Sequence, residues 1–294
     1  MAPFLLVQDF VNYLKIEKRF SIHTIVAYEK DLSQFFEFGS FSTLEDLKEV
    51  RTSVIRGWMV HLIDQKISPC SVNRKLSSLR SFFIWMKKNG WLTDNPIAKI
   101  RGPKTSKKLP QFAKESELNN SLSVNYFTND FDVVRDDLMF EFFYQTGIRL
   151  SELINLKLSD VSDETLRVLG KRNKERLIPI SEDLARLYNV YLTLRSAIRP
   201  SDENVFVLNN GNKLYPKFVY RKINNYLSSM TSLDKCSPHV LRHTFATHML
   251  NNGAGLETLK DLLGHANLSA TQVYTHNSFA QLNAIYSQAH PRGH

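Results

Sequence analysis

Within SPHVLRHTFATHML, residues 237–250, three histidines and an arginine lie beside apolar Leu241, Phe245 and Met249. Ser237 followed by Pro238 reads as an N-cap plus first-turn proline, and Asn251, Asn252 and Gly253 stop the run, so the spacing predicts a helix. At helical period His239 and Arg242 share a cationic face, while Leu241, Phe245 and Met249 line an apolar one. His239 and His243, four apart, also have the spacing with which two imidazoles reach one zinc ion. The residues between them are Val240, Leu241 and Arg242. None is a Glu that would serve as base, and the guanidinium would repel the metal, so the pair does not read as a zinc centre.

The whole chain carries the sign of that cationic face. Of 294 residues, 38 are Lys or Arg against 29 Asp or Glu, a net charge of +9. Such an excess attracts a polyanion, nucleic acid ahead of anionic lipid. With 43% apolar residues the chain can bury a core in each of two domains. No apolar run nears the roughly 18 to 20 residues that span a bilayer. The N-terminal MAPFLLVQDF has neither the basic region nor the cleavage site of a secretion signal, so the expected location is cytoplasmic. Cys70 and Cys236 stand far apart without metal-ligand spacing, which fits a reducing compartment and reads as two packing residues.

The elements that must position these side chains are mostly helical. SIHTIVAYEKDLSQFFEFG places Ile25, Tyr28, Leu32, Phe35 and Phe36 on one helix face and ends at Gly39. Further helical runs follow at 54–63 and 72–86, with no alternating strand between them, so residues 1–100 read as an N-terminal helical domain. KIRGPKTSKKLPQF then brings Lys99, Arg101, Lys104, Lys107 and Lys108 with Gly102, Pro103 and Pro110 and without an acid. Residues 101–112 therefore read as a basic interdomain linker. In the remaining domain, 113–294, LMFEFFYQTG reads as a buried helix closed by Gly147, and Ser151 as the start of another through SELINLKL, with Arg149 in the junction. LRVLG and RLIPI are short β-rich runs around KRNKE, a hairpin whose turn carries Lys171, Arg172 and Lys174. The expected class is mainly α with a small β-sheet in the C-terminal domain.

Four separated pieces of the second half, TGIRLSEL, GKRNKERLIPI, HVLRH and LGHANLSATQVYTH, together resemble the tyrosine site-specific recombinases of the phage integrase family. That family carries an Arg in T-G-x-R-x-S-E-L, a Lys in a β-hairpin, H-x-x-R, a His after L-G and a Tyr nine residues later. Arg149, Lys171, His239, Arg242, His265 and Tyr274 fall at the matching positions, in order. The N-terminal S-x-H-T-x-x-A-Y-x-x-D-L and the terminal QLNAIYSQAHPR resemble the Xer branch, of XerC/XerD type, which resolves chromosome dimers. The resemblance implies an N-terminal SAM-like helical bundle and an α/β recombinase catalytic domain that clamp a duplex, acting as a homo- or heterotetramer on two specific DNA sites. A second recombinase and a DNA translocase are implied as possible partners.

In the implied chemistry, Tyr274 attacks phosphorus to form a 3′-phosphotyrosine and frees a 5′-hydroxyl. Arg149 and Arg242 neutralise the non-bridging oxygens, Lys171 protonates the departing oxygen, His239 accepts the phenolic proton and His265 bonds a phosphate oxygen. Because the phosphotyrosine conserves the energy of the broken bond, neither ATP, a metal nor a cofactor is required. Each residue also has a plainer reading: Arg149 pairing with Glu152, Lys171 solvated on its turn, Tyr274 packed. His243 reads as packing or as support for the site, His248 as structural and His276 as surface. A mobile-element integrase and a type IB topoisomerase share the chemistry, whereas a non-catalytic DNA-binding regulator would need only the basic patches. Beyond Tyr274, Phe279, Leu282, Ile285, Tyr286 and Ala289 form an apolar stripe. The resemblance implies that this helical tail docks into a neighbouring subunit; the alternative is that it folds back on its own domain.

Overall fold

The first helix, α1 (Pro3–Ile16), repeats buried apolar residues at Leu6, Val7, Phe10 and Leu14, the period of one helix face. The computed structural model describes residues 3–105, 111–119, 130–170, 175–200, 202–264 and 276–293. Ser21 then caps α2 (Ile22–Gly39) by accepting the Thr24 N–H at 3.3 Å, and the chain leaves through Ser40 in a left-handed conformation. A short α3 (Leu44–Lys48) and α4 (Thr52–Asp64) lead to α5 (Pro69–Lys88), which opens with Ser68 as cap and proline at its first position. The expected N-terminal helices are therefore present, with α1 and α3 in addition. Phe10, Phe35, Trp58, Phe82 and Phe83 fill their common core. Asp31 is buried there but satisfied, accepting from Ser78 Oγ at 2.8 Å, Lys75 Nζ at 3.1 Å and Arg74 Nη2 at 2.9 Å.

The chain forms two compact units, residues 1–108 and 109–294. In the second, after α6 (Glu115–Asn119), the core is organised by α7 (Phe131–Thr146), whose Leu138, Met139, Phe140, Phe142, Phe143 and Tyr144 are all buried. A helix apolar on every side must be surrounded. It is flanked by α9 (Glu182–Ile198), α10 (Pro216–Met230) and α11 (Pro238–Asn251). Between α7 and α9 lie α8 (Leu150–Asn155) and the antiparallel pair β1 (Thr165–Leu169) and β2 (Glu175–Pro179), in register Arg167↔Leu177. The chain ends in α12 (Leu256–Leu263) and α13 (His276–Ala289). Among the described residues the architecture is mostly helical with one two-stranded sheet, as expected. No described helix is long and apolar enough to cross a membrane.

Three local expectations need correction. Helix α8 starts at Leu150 rather than Ser151, because the Arg149 N–H donates to Glu152 Oε2 at 2.8 Å and makes Arg149 the N-cap. Ser237 precedes α11 as expected but makes no side-chain cap, and Pro238 alone opens the helix. Cys236 is buried, whereas Cys70 is exposed in the first turn of α5 and does not pack.

Candidate active site

Two left-handed glycines bring the chemistry together. Gly147 (φ 58°) ends α7 and Gly264 (φ 65°) ends α12, where only a residue without Cβ escapes strain. A Cβ on Gly147 would also lie 2.7 Å from Phe245 and 2.9 Å from Leu263, so these two helix ends meet across α11 at close range. Their terminal carbonyls have no partners within the helices and carry partial negative charge. Arginines supply the missing donors. Arg242 donates through Nη1 to Gly147 O and through Nη2 to Leu263 O, each at 2.5 Å. Arg149 donates through Nη2 to Gly264 O at 3.2 Å and through Nη1 to Glu152 Oε1 at 2.7 Å.

Arg149 and Arg242 are thus fixed at neighbouring helix ends. A guanidinium has five N–H groups, so two backbone or carboxylate bonds leave three for another anion. Both arginines are half-buried. Burial first, and then the charges of Arg149 and Arg176, push the Arg242 guanidinium down to about 10, still protonated near neutrality. His239 stands one turn before Arg242 on α11 with its side chain exposed. Lys171, His265 and Tyr274 lie outside the described residues, as do Arg172, Lys174, Lys107, Lys108 and the His276 side chain. The ladder β1–β2 nevertheless pairs Leu169 with Glu175, on either side of the segment that holds Lys171.

The plain reading of Arg149 as a partner of Glu152 is correct as far as it goes. Glu152 has a second and better partner that the sequence reading missed. Arg176 on β2 donates to both its oxygens, Nη1 to Oε1 at 3.0 Å and Nη2 to Oε2 at 2.8 Å. Burial opposes the Glu152 charge, but the hydrogen bonds and charge of Arg176, followed by bonds from Arg149, hold the carboxyl down at about 2. The available signal was strand alternation: Arg176 and Ile178, two apart on β2, are both buried, and an arginine on the inner face of a strand demands a partner.

The other histidines divide. His248 is buried as a structural residue should be: its Nε2 donates to Ala113 O at 3.0 Å and its Nδ1 accepts from Tyr144 Oη at 3.1 Å, since the carbonyl fixes the tautomer. Burial lowers its pKa, keeping it neutral. His243 is exposed, so of its two readings packing is excluded and support for the site remains.

The tail follows the fold-back alternative in this chain: α13 buries Leu282, Tyr286 and Ala289 in its own unit, against α11 and β2. Beyond it, His290 Nε2 donates to Tyr144 O at 3.2 Å, and Arg292 pairs with buried Glu141. Burial pushes the His290 imidazole down to about 3, so this anchor is neutral. The physical reason is that the apolar stripe finds a complementary face within the same unit.

Comparison with known proteins agrees with this arrangement. The phage integrase family matches residues 115–281, and the phage integrase N-terminal SAM-like domain matches 7–90. The tyrosine recombinase XerC of Anoxybacillus flavithermus is 37% identical over 290 residues, covering 96% of this chain and 96% of that protein. The XerC of Staphylococcus haemolyticus is 38% identical over 287 residues, again covering 96% of each. Among solved structures, the XerH site-specific recombinase in a post-cleavage complex with a palindromic difH substrate is similar in fold, with a TM-score of 0.71 at 21% identity, covering 96% of this chain and 84% of that one. Two guanidiniums gathered at paired helix ends, a helical N-terminal unit and full-length similarity of this order place the chain in the phage integrase family, as a tyrosine recombinase that carries out site-specific recombination.

Proposed function

We propose that this enzyme cuts and rejoins duplex DNA at a specific site through Tyr274, and that its task is the resolution of chromosome dimers before cell division. The observation that carries the chemical reading is the fixing of Arg149 and Arg242 on the carbonyls of Gly147, Leu263 and Gly264. Donors held in place before reaction stabilise developing charge without reorganising. With both guanidiniums on the non-bridging oxygens, the Tyr274 phenolate oxygen bonds to phosphorus as the bond to the 5′-oxygen breaks. The phenolic proton passes to His239, and Lys171 gives a proton to the departing oxygen. His265 donates to a phosphate oxygen. In the second half of the reaction a 5′-hydroxyl from the partner duplex displaces the tyrosine, restoring a phosphodiester. The net charge of +9 suits a DNA partner, and the helical unit within 1–108 serves as the second jaw of the clamp. In this reading residues 101–112 are the basic strap between the two domains, the active assembly is a tetramer on two sites in the cytoplasm, and a second recombinase and a translocase take part.

Similarity to XerC proteins along 96% of the chain supports the chromosomal role. Capturing the covalent protein–DNA complex from cells and sequencing the attached fragments tests it. A single chromosomal locus near the replication terminus is expected; attachment at the ends of a mobile element would reassign the enzyme as an integrase.

A further inference from the structure

Arg176 has the geometry of a residue that serves the site without touching DNA. Its side chain is 4% exposed, against 34% for Arg149, so its guanidinium has almost no face toward a phosphate. Its bonds are spent internally: both Nη groups on Glu152 and Nε on Leu262 O at 2.8 Å. A Cβ on Gly264 would stand 3.2 Å from Arg176 Cδ, so the helix end adjoining His265 is built around this side chain. Arg176 also lies five residues beyond Lys171 in the sequence, on β2.

The arrangement places one carboxylate between two guanidiniums. Without Arg176, Arg149 would be the one guanidinium among the described residues still hydrogen-bonded to Glu152. A carboxylate and a guanidinium form a fork-to-fork pair, which would draw Arg149 inward and cancel the charge a phosphate needs. We propose that Arg176 is a positioning residue for strand cleavage, taking up the charge of Glu152 so that Arg149 keeps a free cationic edge toward the scissile phosphate. This rests on the reading of Arg149 as a phosphate ligand.

The test is single-turnover cleavage by the full-length enzyme on two nicked duplexes. One carries the natural scissile phosphate; the other carries a methylphosphonate there, in which a methyl group replaces a charged non-bridging oxygen. Arg176→Met slows cleavage of the phosphate by about 10- to 100-fold, the range typical of outer-shell supports, and slows the neutral methylphosphonate far less. Adding Glu152→Gln removes the uncompensated charge and restores much of the lost rate. Equal slowing on both substrates, or no slowing, overturns the inference, because a merely structural residue cannot sense the charge of the phosphate. If Arg176→Met does not fold, Arg176→Gln, which removes the charge but keeps a polar group near Glu152 and Leu262 O, carries the same comparison. Arg149→Ala is run alongside. Should it cleave the phosphate at the wild-type rate, the reading of Arg149 itself fails. Should it show the phosphate-specific loss while the Arg176 variants do not, only the present inference fails.

Discussion

Arg242→Ala is expected to slow strand cleavage by about 10²- to 10³-fold or more, the cost of removing one fixed donor from a developing oxyanion. The wild-type enzyme is expected to cleave equally well in EDTA, because in the proposed mechanism two guanidiniums supply the charge that metal ions supply in other phosphoryl-transfer sites. Arg242 spends one N–H on Gly147 O and one on Leu263 O, and these bonds aim the rest of the fork. The same substitution strips donors from two helix ends, at a cost of about 1–3 kcal/mol for each buried carbonyl left unpaired. Thermal unfolding must therefore be measured beside cleavage, at a temperature where the variant remains folded. Arg242→Lys separates the effects: it keeps the charge, loses the fork, and is expected to remain strongly impaired. Cleavage that vanished with chelator and returned with magnesium would contradict the metal-free chemistry.

Deleting residues 290–294 is expected to destabilise the second unit substantially. Arg292 and Glu141 are paired at 8% and 5% side-chain exposure, and Arg292 Nη2 also donates to Leu118 O at 2.9 Å. Removing one member of a buried pair strands the other charge, which costs about 3–5 kcal/mol. In a unit of this size that lowers the melting temperature by about 10 °C or more. Loss of His290 removes a further bond to the Tyr144 carbonyl and a ring stacked on Tyr286. A calorimetric scan of the shortened protein checks this. A melting temperature equal to that of the full chain would mean that the tail does not close on its own unit in solution. A tail that only docked into a neighbouring subunit would leave the stability of its own unit unchanged on deletion; the buried pair is the reason to expect a loss.

That difference shows which kind of information the sequence carries. Periodicity located α2, α5 and α11, and the short β-rich runs on either side of KRNKE located β1 and β2. In each case the pattern lies within the segment itself, where a period of 3.6 or 2 separates the buried face from the exposed one. The stripe of Leu282, Tyr286 and Ala289 was equally visible, but periodicity states that a face must be covered and not which chain covers it. The pairing of Arg292 with Glu141, 151 residues earlier, has no local signature. Arg176 was missed for another reason: the family pattern directs attention to Lys171, and the inward position of the arginine emerges only when the strand is read two residues at a time. The sites of Arg149 and Arg242 were legible from motifs, whereas the cause of their convergence was not. It depends on Gly147 and Gly264 ending two helices at close quarters.

In the proposed reaction every strand cleavage passes through a covalent bond between DNA and Tyr274. The most direct measurement is to trap the adduct on a nicked duplex whose freed strand diffuses away, digest it, and identify the modified peptide by mass. A nucleotide phosphate is expected on the peptide containing Tyr274, joined through the 3′ end of the DNA, with no adduct from Tyr274→Phe although that variant still binds the duplex. A covalent adduct on any other residue, or one that survives in Tyr274→Phe, would contradict it.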